Sequence, residues 1–243
     1  MDVHVLNGDA LAEKFPFPGE IIVCREALVD GPVDARTCDA FFEQRAEFIS
    51  DSFQADKTTY FNKVKSEFDR LANVGHSSPI HLWFEHDLFC QVNLWFTINF
   101  IREKKMPNTI YVVMPPTDVQ NIWSGFGEMT RNDVLNCFAN KIRLTENEIT
   151  LGSSLWNAYR ENNFHKLEQF CLQPSDAFPM LKEVCTAHMD RFSSNGLGRP
   201  QQKLKAIVDS GTKDFDKIFK EFWKTEGIYG FGDLQVRKML QDL

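Results

Sequence analysis

The stretch from Ile80 to Ile101, IHLWFEHDLFCQVNLWFTINFI, constrains the fold more than any other part of the chain. Its start, Ile80 to Phe84, is rich in the apolar residues that characterise a strand buried on both faces. The later residues are apolar over most of a helical surface, which is typical of a covered crossover helix. Glu85-His86-Asp87 lies between the two. Ionisable groups in such a position usually have a partner or a task, so we predict a strand–loop–helix junction of an α/β domain, with the loop facing a cleft.

The composition is that of a globular protein with ample material for a core. The chain has 243 residues, of which 43% are hydrophobic and 25% charged, enough for one large domain or two modest ones. No run approaches the roughly 20 apolar residues that a membrane span needs. The opening residues, MDVHVLNGD, have neither a basic start nor a long apolar run. We therefore expect a cytoplasmic location, no export signal and no membrane association.

Cysteine and histidine spacing gives no sign of a metal-binding module. The six cysteines lie at positions 24, 38, 90, 137, 171 and 185, and no two form a C-x-x-C pair. A zinc ribbon or a disulfide framework is therefore not expected, and buried reduced thiols are the default. The six histidines, at positions 4, 76, 81, 86, 165 and 188, also lack metal-ligand spacing.

The negative charge is unevenly distributed along the chain. The net charge is −7, yet the segment from His188 to the end has 10 Lys and Arg against 8 Asp and Glu. The rest of the chain then has 17 against 26. An acidic main body argues against binding of a nucleic-acid backbone, which only the mildly basic tail leaves open. The charge pattern identifies no protein partner.

Strands and helices alternate in residues 1–143, and only helices are predicted in residues 144–243. The predicted strands are Val3 to Leu6, Glu20 to Cys24, Ile80 to Phe84 and Asn108 to Met114. Helical patterns between them include Ala10 to Lys14, Arg36 to Phe53, Thr58 to Leu71 and Thr130 to Ala139. The first part is predicted to be an α/β, three-layer, Rossmann-like unit with a mainly parallel sheet. The second is predicted to be an all-α region docked on it, whose end would suit a helix-turn-helix-like bundle.

The ends of the predicted strands carry polar residues. In open α/β sheets, ligands bind beyond the carboxyl ends of the strands, and parallel strands bring those ends to one edge. We therefore expect one polar cleft there. Its candidate catalytic residues are Glu85, His86 and Asp87. Its candidate ligand-binding residues at the strand ends are Asn7, Gly8, Asp9, Arg25, Asp30, Gln91 and Trp123.

Each of these residues also has a purely structural interpretation. Asp9 and Asp87 could be helix N-caps, and Gly8 could only permit a positive φ. Arg25 could pair with Glu26 or Glu85 to neutralise the cleft. Asp30 could belong to a turn with Gly31 and Pro32, His86 could be a hydrogen-bonded loop histidine, and Trp123 could be a packed ring.

Taken together, the strand ends favour a ligand site. Arg25 could hold an anion, and His86 could carry a proton. The carboxylates could act as general bases or hold a divalent cation, since Mg²⁺ and Ca²⁺ take oxygen ligands. The chain has no Gly-rich dinucleotide fingerprint, no Walker motif and no G-x-S-x-G elbow, so neither a cofactor nor a reaction is identified.

The helical tail contains a second polar pair, His188 and Arg191, which share a helix face because they are three residues apart. Cations near a helix C-terminus are stabilising, which is the plain structural interpretation. The alternative is that this helix end closes over the cleft and presents both side chains to the ligand.

Several blocks resemble a bacterial family of domains of unknown function, number eighteen thirty-five. They are His4-x-x-Asn7-Gly8-Asp9, Arg25 with Asp30-Gly31-Pro32, Trp83 to Gln91, His188-x-x-Arg191-Phe192 and Gly230-Phe231-Gly232-Asp233. The blocks are short, fairly specific as a set, and together span nearly the whole chain. The resemblance implies a cytoplasmic bacterial protein with an α/β N-terminal part and a helical C-terminal part. It supplies no activity.

Two functional hypotheses follow from the sequence. The first is a ligand-binding α/β protein, with enzymatic activity left open, that takes a phosphorylated or nucleotide-like small molecule together with a divalent cation. The second is a non-enzymatic regulatory or interaction protein that uses its helical C-terminal region as the contact surface.

Overall fold

A five-stranded sheet forms the centre of the molecule. The structure, a computed structural model, describes residues 1–193 and 196–243. The strand order is β2-β1-β3-β4-β5, and the strands are β1 (Val3–Asn7), β2 (Glu20–Cys24), β3 (Ile80–Trp83), β4 (Ile110–Val113) and β5 (Ile142–Arg143). β1 to β4 are parallel, and β5 is antiparallel to β4. The predicted α/β fold with a mainly parallel sheet is confirmed.

Helices connect the strands and then make up the rest of the chain. Those among the strands are α1 (Asp9–Ala12), α2 (Cys38–Phe53), α3 (Lys57–Tyr60), α4 (Ser66–Ala72), α5 (Leu88–Glu103) and α6 (Arg131–Ala139). Those after β5 are α7 (Glu146–Arg160), α8 (Phe164–Phe170), α9 (Leu181–Asp190), α10 (Arg199–Asp209), α11 (Phe215–Glu226) and α12 (Asp233–Gln241). Short polar residues define several of their N-termini by accepting a backbone N–H. The predicted Thr145–Glu148 capping box of α7 is present.

The two faces of the sheet are covered by different helices, which gives the three layers. On one face, Leu6 and Trp83 join a buried cluster with Leu11 of α1 and Val134 of α6. On the other face, the strands share a larger buried cluster with α2, α4 and α5. Both faces of β3 are buried, which explains why the strand reads as an almost continuous apolar run.

The helical C-terminal region continues the larger of these clusters. α7 packs along α5, so α5 is buried over nearly its whole surface. Trp156, Phe178 and Phe222 belong to the same continuous set of buried residues as the strands. Whether residues 144–243 form a separate domain stays a prediction.

Two local features differ from the sequence pattern. The predicted single helix from Thr58 to Leu71 is interrupted by a π-helical turn, Phe61–Lys65, between α3 and α4. Strand β5 was not predicted, because its two residues are defined by pairing with β4 and have no pattern of their own. In the part of the chain that the structure describes, none of the helices combines the length and apolar character needed to cross a bilayer.

Candidate functional site

The strand order places two of the predicted loops side by side. β1 lies between β2 and β3, so the chain leaves β1 toward one edge of the sheet and leaves β3 toward the other. Such a switch point opens a crevice at the carboxyl ends of the two strands, where ligands of open α/β folds bind. Asn7 ends β1, and Glu85-His86-Asp87 follows β3. The sheet therefore brings these two loops together.

A hydrogen-bonded cluster connects the two loops through the first turn of α5. Asn7 Nδ2 donates to Cys90 Sγ at 3.0 Å, and Cys90 Sγ donates to Glu85 Oε2 at 2.9 Å. Because the thiol is a donor here, Cys90 carries its proton and Glu85 Oε2 is the acceptor. Burial and the neighbouring charges of Asp87 and Glu85 raise the pKa of Cys90 well above its ordinary value.

Asp87 has both a structural and an electrostatic role in this cluster. As the N-cap of α5, it accepts the backbone N–H of Cys90 at 2.9 Å, so the capping interpretation is confirmed. Only 6% of the residue is exposed. Burial, followed by the charge of Glu85, raises the pKa of Asp87 to about 7. Asp87 therefore exchanges a proton near neutral pH, unlike an ordinary surface aspartate.

Glu85, Asp87 and Cys90 lie close enough together to hold a metal ion. One ligand atom from each residue lies within 4.8 Å of the others. Two carboxylates suit hard cations such as Mg²⁺, and adding a thiolate favours a softer ion such as Zn²⁺. Binding would require the protons of Asp87 and Cys90 to leave, because only the deprotonated groups are good ligands.

Two glycine-containing loops cover this cluster. A Cβ atom at Gly125 would lie 2.7 Å from Glu85 Cδ, and one at Gly230 would lie 2.5 Å from Asp87 Cγ. Both positions require glycine because a carboxylate occupies the space of the side chain. The loops also approach each other, since a Cβ at Gly227 would meet Trp123 Cβ at 3.2 Å. Trp123, which precedes Gly125 in the first loop, therefore packs against the second loop.

Backbone and amide groups hold the carboxylates in place. The backbone N–H of Phe126 donates to Glu85 Oε1 at 2.8 Å, and Gln91 Nε2 donates to the Glu85 carbonyl oxygen at 2.7 Å. Asn93 Nδ2 donates to Asn7 Oδ1 at 2.9 Å and to the Glu26 carbonyl oxygen at 2.7 Å. Gln91 thus supports the loop after β3, and Asn93 connects the ends of β1 and β2.

Cys90 and Asn93 were not selected as site residues from the sequence. Their signal lay in α5, where Asn93 is one of several amides in a mostly apolar helix and Cys90 occupies the third helical position after the cap. A buried amide needs hydrogen-bond partners, which could have identified Asn93 as a connecting residue. The contacts of Cys90 depend on Asn7, which is distant in sequence.

The His86 side chain contacts the segment that follows β4. Its Nε2 lies 2.8 Å from the Pro115 carbonyl oxygen, and only 1% of the residue is exposed. A carbonyl oxygen can only accept, so Nε2 carries the hydrogen and Nδ1 is left as an acceptor. Nδ1 has no hydrogen-bond partner among residues 1–193 and 196–243. Burial lowers the pKa of His86, which keeps the ring neutral.

The structure corrects the expected pairing of Arg25. Its Nε and Nη2 donate to Asp9 at 2.9 and 2.8 Å, Nη1 donates to the Lys63 carbonyl oxygen at 2.9 Å, and Glu67 lies 3.7 Å away. The predicted partners Glu26 and Glu85 are wrong. Glu26 is instead buried with Arg45, whose Nη2 donates to Glu26 Oε2 at 3.0 Å.

The N-cap interpretation of Asp9 is also wrong. Gly8 is the N-cap residue of α1, and Asp9 is its first helical residue. Gly8 has a φ of +90°, so the expected positive φ is confirmed. Asp9 is therefore free to form its bidentate pair with Arg25, which occupies the guanidinium that was expected to hold an anion.

Asp30, His188 and Arg191 meet in a different pocket. They line a space of about 320 Å³ that also involves Tyr159, and neither Glu85 nor Asp87 contributes to its described walls. Arg191 Nη2 donates to the Val29 carbonyl oxygen at 2.7 Å. His188 packs on Tyr159 with 4.4 Å between ring centroids, and burial lowers its pKa to about 3. Arg191 therefore contacts the loop after β2, His188 packs on Tyr159, and neither contributes to the cluster at Glu85.

Comparison with known proteins adds no relative. No protein-family model matches the chain, and neither a curated protein nor a solved structure matches it. The resemblance to the bacterial domain family therefore stays a prediction, and the function has to be argued from this chain alone.

Proposed function

We propose that the protein binds a small phosphorylated or nucleotide-like molecule at the carboxyl edge of the sheet, together with a divalent cation. Glu85, Asp87 and Cys90 would hold the cation. The observation that carries the proposal is the presence of three ligand atoms within 4.8 Å of one another at the switch point between β1 and β3.

The cation would provide the positive charge that a phosphate needs at this place. Arg25 is already engaged by Asp9, so it offers little to an incoming anion. A divalent ion on two carboxylates would keep open positions for phosphate oxygens, as magnesium does in many phosphate sites. His86 Nδ1 is the atom that would accept a proton if a reaction takes place.

The proton content of the cluster makes cation binding dependent on pH. Asp87 has a pKa raised to about 7, so at pH 6 a cation must displace its proton, whereas at pH 8 the group is already ionised. Affinity should therefore rise between pH 6 and pH 8. A strong further rise at higher pH would indicate that the Cys90 thiol is also deprotonated on binding.

Calorimetric titration of metal-free protein with Mg²⁺, Mn²⁺ and Zn²⁺, at both pH values, tests the proposal. We expect one site, which Glu85→Gln and Asp87→Asn remove. Asp214→Asn is the matched control, since Asp214 is also an N-cap that accepts a backbone N–H, from Lys217 at 3.0 Å, but lies at the exposed start of α11. Titration of ATP and glucose 6-phosphate follows with and without the preferred ion.

The outcomes separate the alternatives. An ion present at about one hundred times its dissociation constant should stabilise the fold by roughly 2.7 kcal/mol, which thermal unfolding detects independently. Cys90→Ser should weaken Zn²⁺ much more than Mg²⁺, because it removes the soft ligand. If no ion binds, or if Glu85→Gln binds ions as the parent does, the proposal is wrong and the interaction-protein hypothesis gains weight.

A further inference from the structure

A groove runs along the end of β4 beside the proposed cation site. It consists of two pockets of about 660 and 580 Å³, which share Met114, Pro115, Pro116 and Asn140. Volumes of this size are typical of sites for small organic ligands. The larger pocket includes Gly125, the residue that packs directly on the Glu85 carboxylate. The groove therefore adjoins the cluster of Glu85, Asp87 and Cys90.

The charges of the groove exclude an anionic occupant. Among the described residues that line the two pockets there is no lysine or arginine, whereas Glu128, Asp133 and Asp176 are all present. A phosphate placed in the groove would meet like charges without a counter-ion. The anionic part of a ligand would have to lie at the cation, and the part in the groove would have to be neutral.

The remaining walls suit a flat ring that has hydrogen-bonding groups at its edge. Met114, Met129 and the two consecutive prolines offer apolar surface of the kind on which aromatic rings pack. Three carboxamides, those of Asn121, Asn136 and Asn140, line the larger pocket and can both donate and accept. These features match a nitrogen heterocycle better than a sugar or an aliphatic chain.

The smaller pocket supplies acceptors for an N–H donor. His86 lines it, and its Nδ1 is an acceptor without a partner in the described residues. Its Nε2 is fixed as a donor by Pro115, so the neutral ring cannot move its N–H to Nδ1 without breaking that bond. Asp176 lines the same pocket and also accepts. Nδ1 itself is buried, so Asp176 is the acceptor that an amino group in the groove can reach without a rearrangement of the pocket wall.

We propose that this groove binds the base of an amino-bearing nucleoside, of the adenine or cytosine class. The inference rests on the proposed function, in which the phosphates of the same molecule reach the cation at Glu85 and Asp87, and it specifies the substrate class of that site. The exocyclic amino group donates to the Asp176 carboxylate. The ring lies between the Met114 and proline surfaces.

Pairs of nucleosides that differ only at the amino group provide the sharpest probe. Adenosine is compared with inosine, and cytidine with uridine, by ligand-observed NMR and calorimetry of the full chain without metal. Asn136→Trp fills the larger pocket from its exposed rim. Asn132→Trp is the matched control, because Asn132 is an exposed asparagine one turn earlier on α6 and does not line the groove.

We expect adenosine or cytidine to bind at least about tenfold more tightly than its deaminated counterpart, because a site built on acceptors rejects a carbonyl oxygen. Asn136→Trp should weaken that binding by at least about tenfold, and Asn132→Trp should leave it unchanged. Asp214→Asn should also leave nucleoside binding unchanged, since Asp214 lies at the start of α11 and lines neither pocket.

Three results would overturn the inference. They are equal affinity for the amino and deaminated nucleosides, no binding of any nucleoside, and binding that Asn136→Trp leaves unchanged. Cation titration separates this failure from that of the proposed function. A protein that binds a cation through Glu85, and ATP only with that cation, but is indifferent to Asn136→Trp would keep the proposed function and lose the nucleobase site.

Discussion

Replacement of Asp87 by asparagine should make the protein more stable at pH 8. Asn retains the oxygen that accepts the Cys90 backbone N–H, and aspartate and asparagine are comparable N-caps. What the substitution removes is a carboxylate that is only 6% exposed and lies beside Glu85. The cost of ionising that group in the folded state is therefore absent from the variant.

The magnitude follows from the difference in proton binding between the folded and unfolded states. The pKa of Asp87 is about 7 in the folded protein, against 3.8 for an ordinary aspartate. Between these values the folded state holds a proton that the unfolded state has released, so the free energy of unfolding falls as pH rises. Roughly three pH units at about 1.4 kcal/mol each correspond to about 4 kcal/mol. The loss begins near pH 4 and is complete above pH 7.

Urea unfolding of parent and Asp87→Asn, in the presence of a metal chelator at several pH values from 4 to 8, measures this effect. Taking the difference between the two proteins cancels the titration of all other groups. We expect the variant to gain stability relative to the parent with rising pH, by up to about 4 kcal/mol at pH 8. Asp214→Asn, the exposed N-cap control, should show no such trend. A pH-independent difference, or a less stable variant at pH 8, would show that Asp87 is not protonated preferentially in the folded state.

Three further substitutions test other parts of the structure by the same unfolding assay. Gly230→Ala should cost about 1–3 kcal/mol, because its φ is +62° and the new Cβ would meet the N-cap aspartate of α5, whereas Gly211→Ala, with a φ of +98° but open space, should cost less. His188→Phe should reduce the loss of stability between pH 6.5 and pH 3, since the folded state binds this proton only near pH 3 and the unfolded state binds it near 6.5. An unchanged acid profile would contradict the burial argument. Arg45→Met should cost about 3–5 kcal/mol, because it leaves the Glu26 carboxylate buried without its cation, and restoring stability by adding Glu26→Gln would confirm that cause.

Much of the secondary structure could be predicted because its signals are local. The apolar run of Glu20–Cys24 coincides with β2, and Thr145 with Glu148 forms the expected capping box. The features that were missed have no local signal. β5 is defined by its pairing with β4, and the Lys63 carbonyl oxygen, within the π-helical turn, accepts from Arg25, a residue far away in the sequence.

The features of the candidate site also fall into those with a local signal and those that depend on long-range contacts. That ionisable and amide groups follow apolar strands, and that Asp87 starts a helix, could be predicted from the chain, because these properties depend on neighbouring residues. Which of these groups meet depends on the packing of distant segments. The strand order placed Asn7 beside Cys90 and Glu85, and long-range packing brought Gly125 and Gly230 onto the two carboxylates. The same packing pairs Arg25 with Asp9 and places Arg191 against the loop that contains Val29. Strand order and loop closure arise from contacts between distant segments, which no local pattern encodes.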